Sequence, residues 1–183
     1  MSVVNWVLAA VSFAGSVIAI WELWRYVQDR DRLTWRVTEN CMKDIIGQMR
    51  RKNYKPDMVI GVGRGGAIVG GMLAGNLGHV PLFVIDTELD RSGGMSKATV
   101  RNQTCFPDVH GQSVLVCVGE LYSGEDLRAG VEFVANGGPK EITTMSLFSH
   151  PASIVDPNYV GKVTSRPLDA PWRITDEYRS RRL

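Results

Sequence analysis

A short apolar run, MVIGV (Met58 to Val62), passes straight into Gly63-Arg64-Gly65-Gly66 and then into AIVGGMLAGNLG, closed by Gly78. A strand with no polar side chain on either face must be covered on both, as parallel sheets are by their crossover helices. Strand, glycine-rich turn and helix therefore read as one βα unit. The unit recurs. Val80 to Ile85 is a second strand, and Ser113 to Val118 a third. The third leads through Gly119-Glu120-Leu121-Tyr122-Ser123-Gly124 to a helix beginning near Glu125 and ending at Asn136-Gly137-Gly138. Glu141 to Ser149 is a fourth strand. Upstream, Thr34 is placed to cap a helix over Trp35 to Lys52, in which Val37, Cys41, Ile45 and Met49 recur at helical spacing. The expected fold is α/β, a doubly wound, mainly parallel sheet with ligands at the C-terminal ends of its strands. The polar stretch Thr87 to Gly111 has little periodicity and is expected to be a functional lid or a disordered loop.

The N-terminus constrains the chain differently. Residues Val3 to Trp24 read VVNWVLAAVSFAGSVIAIWELW, with no charged side chain from Ser2 to Trp21. As a helix, such a run spans the roughly 30 Å hydrocarbon core of a bilayer. Trp6 lies near one end, and Trp21, Trp24 and Tyr26 near the other, where interfacial aromatic residues belong. Arg25, Arg30, Arg32 and Arg36 follow the run and no Lys or Arg precedes it, which orients the following domain towards the cytoplasm. A cleaved signal peptide would need a basic start and a shorter apolar core. A buried domain helix would need more protein around it than this chain supplies. The expected organisation is a transmembrane anchor over 1–27, a linker over 28–34 and a globular domain over 35–183. The expected location is single-pass in a bacterial inner membrane. Ala9, Ser12, Ser16 and Ala19 fall near one helical face and would permit close helix packing, so homo-oligomers are expected.

Charged residues form 22% of the chain, with a formal net charge of +2. That balance suits an α/β domain and gives no electrostatic case for nucleic acid as a partner. Arg179, Arg181 and Arg182 read as a solvated tail. The 3 cysteines, Cys41, Cys105 and Cys117, lie far apart and show no metal-ligand spacing, so neither a disulfide framework nor a bound metal is expected.

The segment LTWRVTENCMKDIIGQMRRKNYKPDMVIGVGRGG resembles the opening helix, first strand and pyrophosphate loop of type I phosphoribosyltransferases, in the xanthine and hypoxanthine-guanine branch. HPASIVDPNYVGKVTSRPLDAPWRI resembles the C-terminal hood of that branch, where an aromatic residue covers the purine. The resemblance runs from about Leu33 to about Thr175. It implies transfer of a phosphoribosyl group from phosphoribosyl pyrophosphate to a base, aided by magnesium. It also implies phosphate binding by backbone N–H groups at helix starts.

The resemblance makes Gly63, Arg64, Gly65 and Gly66 the pyrophosphate loop, with Arg64 able to grip phosphate oxygens bidentately. At the second loop, VLVCVGELYSGEDL departs from the family pattern. Val118 and Gly119 fall where two adjacent acids belong, Glu120 stands one place late, and Tyr122 replaces the Asp that acts on the purine. Ser123 and Gly124 fit the 5′-phosphate turn, but Glu125 and Asp126 follow. A carboxylate 4 Å from a phosphate costs about 4 kcal/mol at an effective dielectric near 20. Ser123 could instead cap the next helix, with both acids in its first turn. Trp172 is the candidate to stack on a base, or packs against the sheet edge. Lys140 is expected outside the site. Asp86, Glu88 and Asp90, with Arg91, Lys97 and Arg101, belong to the region that forms a flap in the family.

Three functions fit these residues. One is a membrane-tethered, catalytically impaired domain that binds a nucleotide or phosphorylated ligand as a sensor or effector, by analogy with bacterial stress and anti-phage modules. The second is a working anchored transferase using magnesium, with Glu120 and Tyr122 in the catalytic places. The third is an oligomerisation domain that docks a protein partner.

Overall fold

The computed structural model describes residues 20–21, 33–90, 97–102, 106–165 and 170–172, the side chains of residues 89, 90, 97, 101 and 102 excepted. The expected membrane span, residues 3–24, falls outside these apart from Ile20 and Trp21, which are helical. Among the described residues, no helix is long and apolar enough to cross a membrane. The chain divides after Leu33 into two compact units, and Thr34–Leu183 carries the sheet.

Helix α1 runs from Trp35 to Arg51. Its first turn is capped as expected, with Thr34 Oγ1 accepting from the Val37 amide at 3.3 Å. Strand β1 (Met58–Val62) is buried at every position and enters α2 (Gly63–Asn76) directly. The glycine-rich segment is thus the first turn of α2 rather than a turn ahead of it. Gly63 reverses the chain alone, at φ +64°. Strand β2 (Leu82–Asp90) extends past its expected end and pairs antiparallel with β3 (Lys97–Asn102), with a register shift between Asp86 and Thr87. The stretch expected as a loop therefore contains a strand. Ala98 is buried and Thr99 exposed, a period-2 pattern that charged neighbours mask in the sequence.

Strand β4 (Ser113–Leu121) absorbs Gly119, Glu120 and Leu121. Helix α3 (Glu125–Ala135), β5 (Glu141–Ser149) and β6 (Tyr159–Val163) complete the domain. The sheet order is β3-β2-β1-β4-β5-β6, and every pairing except β2–β3 is parallel. The α/β, mainly parallel architecture is as expected.

The two faces are packed differently. On the α3 side, Ile60, Val62, Ile85, Val116, Val118, Leu121 and Leu127 form an aliphatic core. On the α2 side, helix and sheet meet through glycines. A Cβ on Gly66 would lie 2.6 Å from the Cys117 carbonyl oxygen, and one on Gly61 2.6 Å from that of Gly66. Contact this close excludes any side chain.

Candidate functional site at the β1–β4 crevice

From β1 the chain crosses to β2 on one side, while β4 lies on the other. The ends of β1 and β4 are therefore the point where strand order reverses, the usual place for a ligand in an open α/β sheet. Gly63 to Gly66 sit on one side of this crevice and residues 119–124 on the other. The first turn of α2 has no side-chain cap and no acidic residue, and Arg64 is exposed. Its leading N–H groups and positive dipole end are thus unopposed by local carboxylates.

Across the crevice, Val118 is 2% exposed in the α3-side core. Gly119 is buried against α2. A Cβ there would stand 2.8 Å from Gly65 Cα and 2.7 Å from Cζ2 of Trp172. The two positions expected to carry acids thus hold one core side chain and one glycine with no room for a side chain. Glu120 is half-buried, with Oε1 closed to solvent, and pairs in register with Phe148.

Trp172 belongs to the crevice, not to the sheet edge. Its ring stacks on Phe148 at 6.1 Å and 21°, and meets Trp35 at 6.1 Å and 58°. An indole so placed covers the ground between the two glycine backbones. Tyr122 is exposed and lies away from this cluster, stacked on His150 at 4.5 Å and 25°. His150 Nδ1 accepts from the Ala152 amide at 3.1 Å, which leaves Nε2 as the donor towards the Ser165 carbonyl at 3.2 Å. His150 and Ser153 had no motif to announce them in the sequence.

The turn after β4 departs from expectation in one respect. The residue capping α3 is Gly124, at φ +94°, and not Ser123. Ser123 Oγ still accepts from the Glu125 amide at 3.4 Å, and its carbonyl accepts from Ile154 at 2.9 Å. Gly124 is required, because a Cβ would meet Ser153 Oγ at 2.9 Å. The two acids are committed locally. Glu125 pairs with Arg128 at 2.6 Å, and Asp126 accepts from Thr87 Oγ1 at 2.8 Å. Burial holds the Asp126 carboxyl above its usual range, with Glu125 and Asp86 adding to the shift and Thr87 opposing it. Arg91 lies outside the described residues, Lys97 and Arg101 fall in β3, and Asp86 bonds to the Thr87 amide at 3.1 Å.

Magnesium does not fit these residues well. Val118 and Gly119 offer no side-chain oxygen where the resemblance expects two acids, and the described residues contain no cluster of three His, Cys, Asp or Glu that could hold a metal ion.

A doubly wound sheet with a glycine-rich helix start after β1 and a glycine-capped helix after β4 defines an α/β protein of the class whose ligands sit at the strand ends. The family follows: the phosphoribosyl transferase domain matches residues 35–180, and the chain belongs to that family. Among solved structures it is similar to a purine phosphoribosyltransferase from Pyrococcus horikoshii Ot3. The identity is 29% over 78% of this chain and 93% of that one, with a TM-score of 0.70. The Helicobacter pylori xanthine-guanine-hypoxanthine phosphoribosyltransferase shares the fold at 15% identity, covering 82% and 97% of the two chains, with a TM-score of 0.66. A Neisseria gonorrhoeae hypothetical protein with bound ppGpp shares it at 19%, covering 82% and 92%, with a TM-score of 0.65. A comparison with curated proteins finds no match.

Proposed function

We propose that this chain is a membrane-anchored phosphoribosyltransferase-like domain that binds a nucleotide or other phosphorylated ligand without ordinary transferase turnover. The observation that carries this reading is the contact of Gly119 with Gly65 and Trp172, which closes the place of an acidic side chain. An enzyme of this family must hold two ribose hydroxyls as charge develops at the anomeric carbon, and a missing carboxylate pair forfeits that stabilisation. The binding half of the chemistry is left in place. Gly63, Gly65 and Gly66 present N–H groups and Arg64 a guanidinium, with Ser123 and Gly124 across the crevice. The ppGpp held by the Neisseria gonorrhoeae protein supports a phosphorylated nucleotide as ligand. Residues 3–24 supply the anchor in a bacterial inner membrane, and self-association of the chain or a protein partner relays the response. A stress or anti-phage effector fits that arrangement by analogy.

A second reading, an active anchored purine-type transferase using magnesium, draws on the 29% identity to the Pyrococcus horikoshii enzyme. It requires Glu120 to act for both missing acids and Tyr122 to act near the base.

The full chain in uncharged detergent, given phosphoribosyl pyrophosphate, magnesium and a panel of bases, separates the two. The first reading expects no pyrophosphate release. It also expects pyrophosphate binding that weakens about tenfold or more in Arg64→Ala, the scale of one charge-assisted hydrogen bond. Turnover that Glu120→Ala abolishes would establish the second reading. Recovery of the chain from washed cell membranes tests the anchor, and its release by high salt alone would refute a membrane-spanning segment.

A further inference from the structure

Opposite the crevice, at the N-terminal ends of β1, β4, β5 and β6, the domain contains a polar cavity of about 600 Å³, within the range of small-molecule sites. Lys52, Lys55 and Lys140 line it, together with Asp57, Glu141 and Tyr159. None of the three lysines is ion-paired with a described carboxylate. The two carboxylates accept hydrogen bonds from other residues of the same lining. Asp57 Oδ2 accepts from the Ser113 amide at 2.8 Å while its own amide donates back to the Ser113 carbonyl at 2.8 Å. Glu141 is directed to the hydroxyls of Ser113 and Thr143, each at 3.5 Å. Three lysines thus line one shared space with two carboxylates that already accept hydrogen bonds there.

The lysines are also carried on fixed backbone. Lys52 follows α1, where its amide donates to Gln48 O at 3.2 Å, and Asn53 turns the chain at φ +50°. The Tyr54 amide returns to Met49 O at 2.9 Å, and Lys140 N is held by Gln112 O at 2.9 Å. Lys52 Nζ sits 5.1 Å above the Tyr159 ring, itself 6.0 Å from that of Tyr54. The α1 C-terminal carbonyls accept these bonds, and Arg50 and Arg51 oppose the negative end of its dipole. With three lysines against two carboxylates, the charged lining is net positive by one.

We propose that this cavity is a second anion site, distinct from the crevice, that takes a phosphate group on Lys52, Lys55 and Lys140. Lysine binds phosphate as a point charge, and backbone hydrogen bonds hold the positions of Lys52 and Lys140. The phosphate can come from a soluble phosphorylated compound or from an anionic lipid headgroup, since the chemistry at the lysines is the same.

The test is lysine acetylation of the full chain in uncharged detergent, read by mass spectrometry, with inorganic pyrophosphate against chloride at matched ionic strength. Lys43, which is paired with Glu39 on α1, is the internal control. Pyrophosphate is expected to slow acetylation of Lys55 and Lys140 several-fold relative to Lys43, equally in wild type and in Arg64→Ala. Lys140→Glu should abolish the protection of Lys55. A parallel arm without pyrophosphate compares phosphatidylglycerol with phosphatidylcholine vesicles, and protection by phosphatidylglycerol alone assigns the phosphate to a lipid headgroup. No selective protection by either phosphate source, or protection of Lys55 that survives Lys140→Glu, overturns the site. Protection lost in Arg64→Ala would also overturn it, by assigning the effect to the crevice.

Discussion

The Cα of Gly65 lies 2.8 Å from where a Cβ on Gly119 would have to stand, so the first turn of α2 and the end of β4 touch backbone to backbone. Neither partner is the flexible tip of a side chain that could swing aside. Position 119 is therefore closed to the carboxylate that the family resemblance would place there, unless α2 moves.

Restoring that acid should damage the protein. Gly119→Asp is expected to destabilise the domain by about 1–3 kcal/mol, the usual cost of forcing atoms into a packed contact. Urea denaturation measures it. A variant as stable as wild type would mean that α2 yields easily and that the crevice can open.

Trp172 should report on the same contact. Half-buried against Phe148 and Trp35, it is expected to contribute roughly 2 kcal/mol, less than a fully buried indole. Trp172→Ala should lower stability by that amount while leaving pyrophosphate affinity equal or higher, since the ring covers the crevice. A fall in affinity beyond the loss of folded protein would assign the indole to ligand binding instead.

Asp126 predicts an inverse pH dependence. Its folded carboxyl is raised, chiefly by burial, so the native state binds its proton more readily than the unfolded chain does. The group therefore subtracts stability at neutral pH. It returns that stability as pH falls through the raised folded value, fully only below the unfolded value of about 3.9. Asp126→Asn keeps an acceptor for Thr87 Oγ1 and should be the more stable protein at neutral pH, with the gap closing on acidification. Denaturation curves across that range decide it, and a gap that widens instead refutes the assignment.

Thr34 should matter more than an exposed threonine usually does. Thr34→Ala removes the acceptor for the Val37 amide and is expected to cost about 1 kcal/mol, visible as a lower midpoint in thermal melts followed by circular dichroism.

Cys117 should be chemically silent. Full burial pushes its thiol up to about 12, and the sulfur donates to the Gly66 carbonyl at 3.6 Å. Because the thiolate is the reactive form, native protein should resist iodoacetamide at this residue at neutral pH and react only once unfolded. Rapid native labelling of Cys117 would show that the α2–β4 contact opens.

Much of the fold could be read from local pattern. MVIGV is apolar without interruption because β1 is covered on both faces, and Thr34 stands one residue before α1 because helix starts need an acceptor. The glycine-rich segment after β1 was equally legible, since it is a matter of residue type and order. Strand β3 was not, because an edge strand takes its stability from hydrogen bonds to β2, and those leave little trace in its charged side chains. That Gly124 rather than Ser123 caps α3 was not legible either, since the room for a side chain there is taken by Ser153 and Val155, some thirty residues away.

Residue types along the chain thus determined the α/β order and the helix starts, both of which depend on neighbours a few positions apart. Tertiary structure alone decided that Gly119 meets Gly65, that Trp172 lies over both, and that Lys52, Lys55 and Lys140 share one cavity. These are contacts between segments brought together by sheet order, and pairwise distance across a fold is not written in any local pattern.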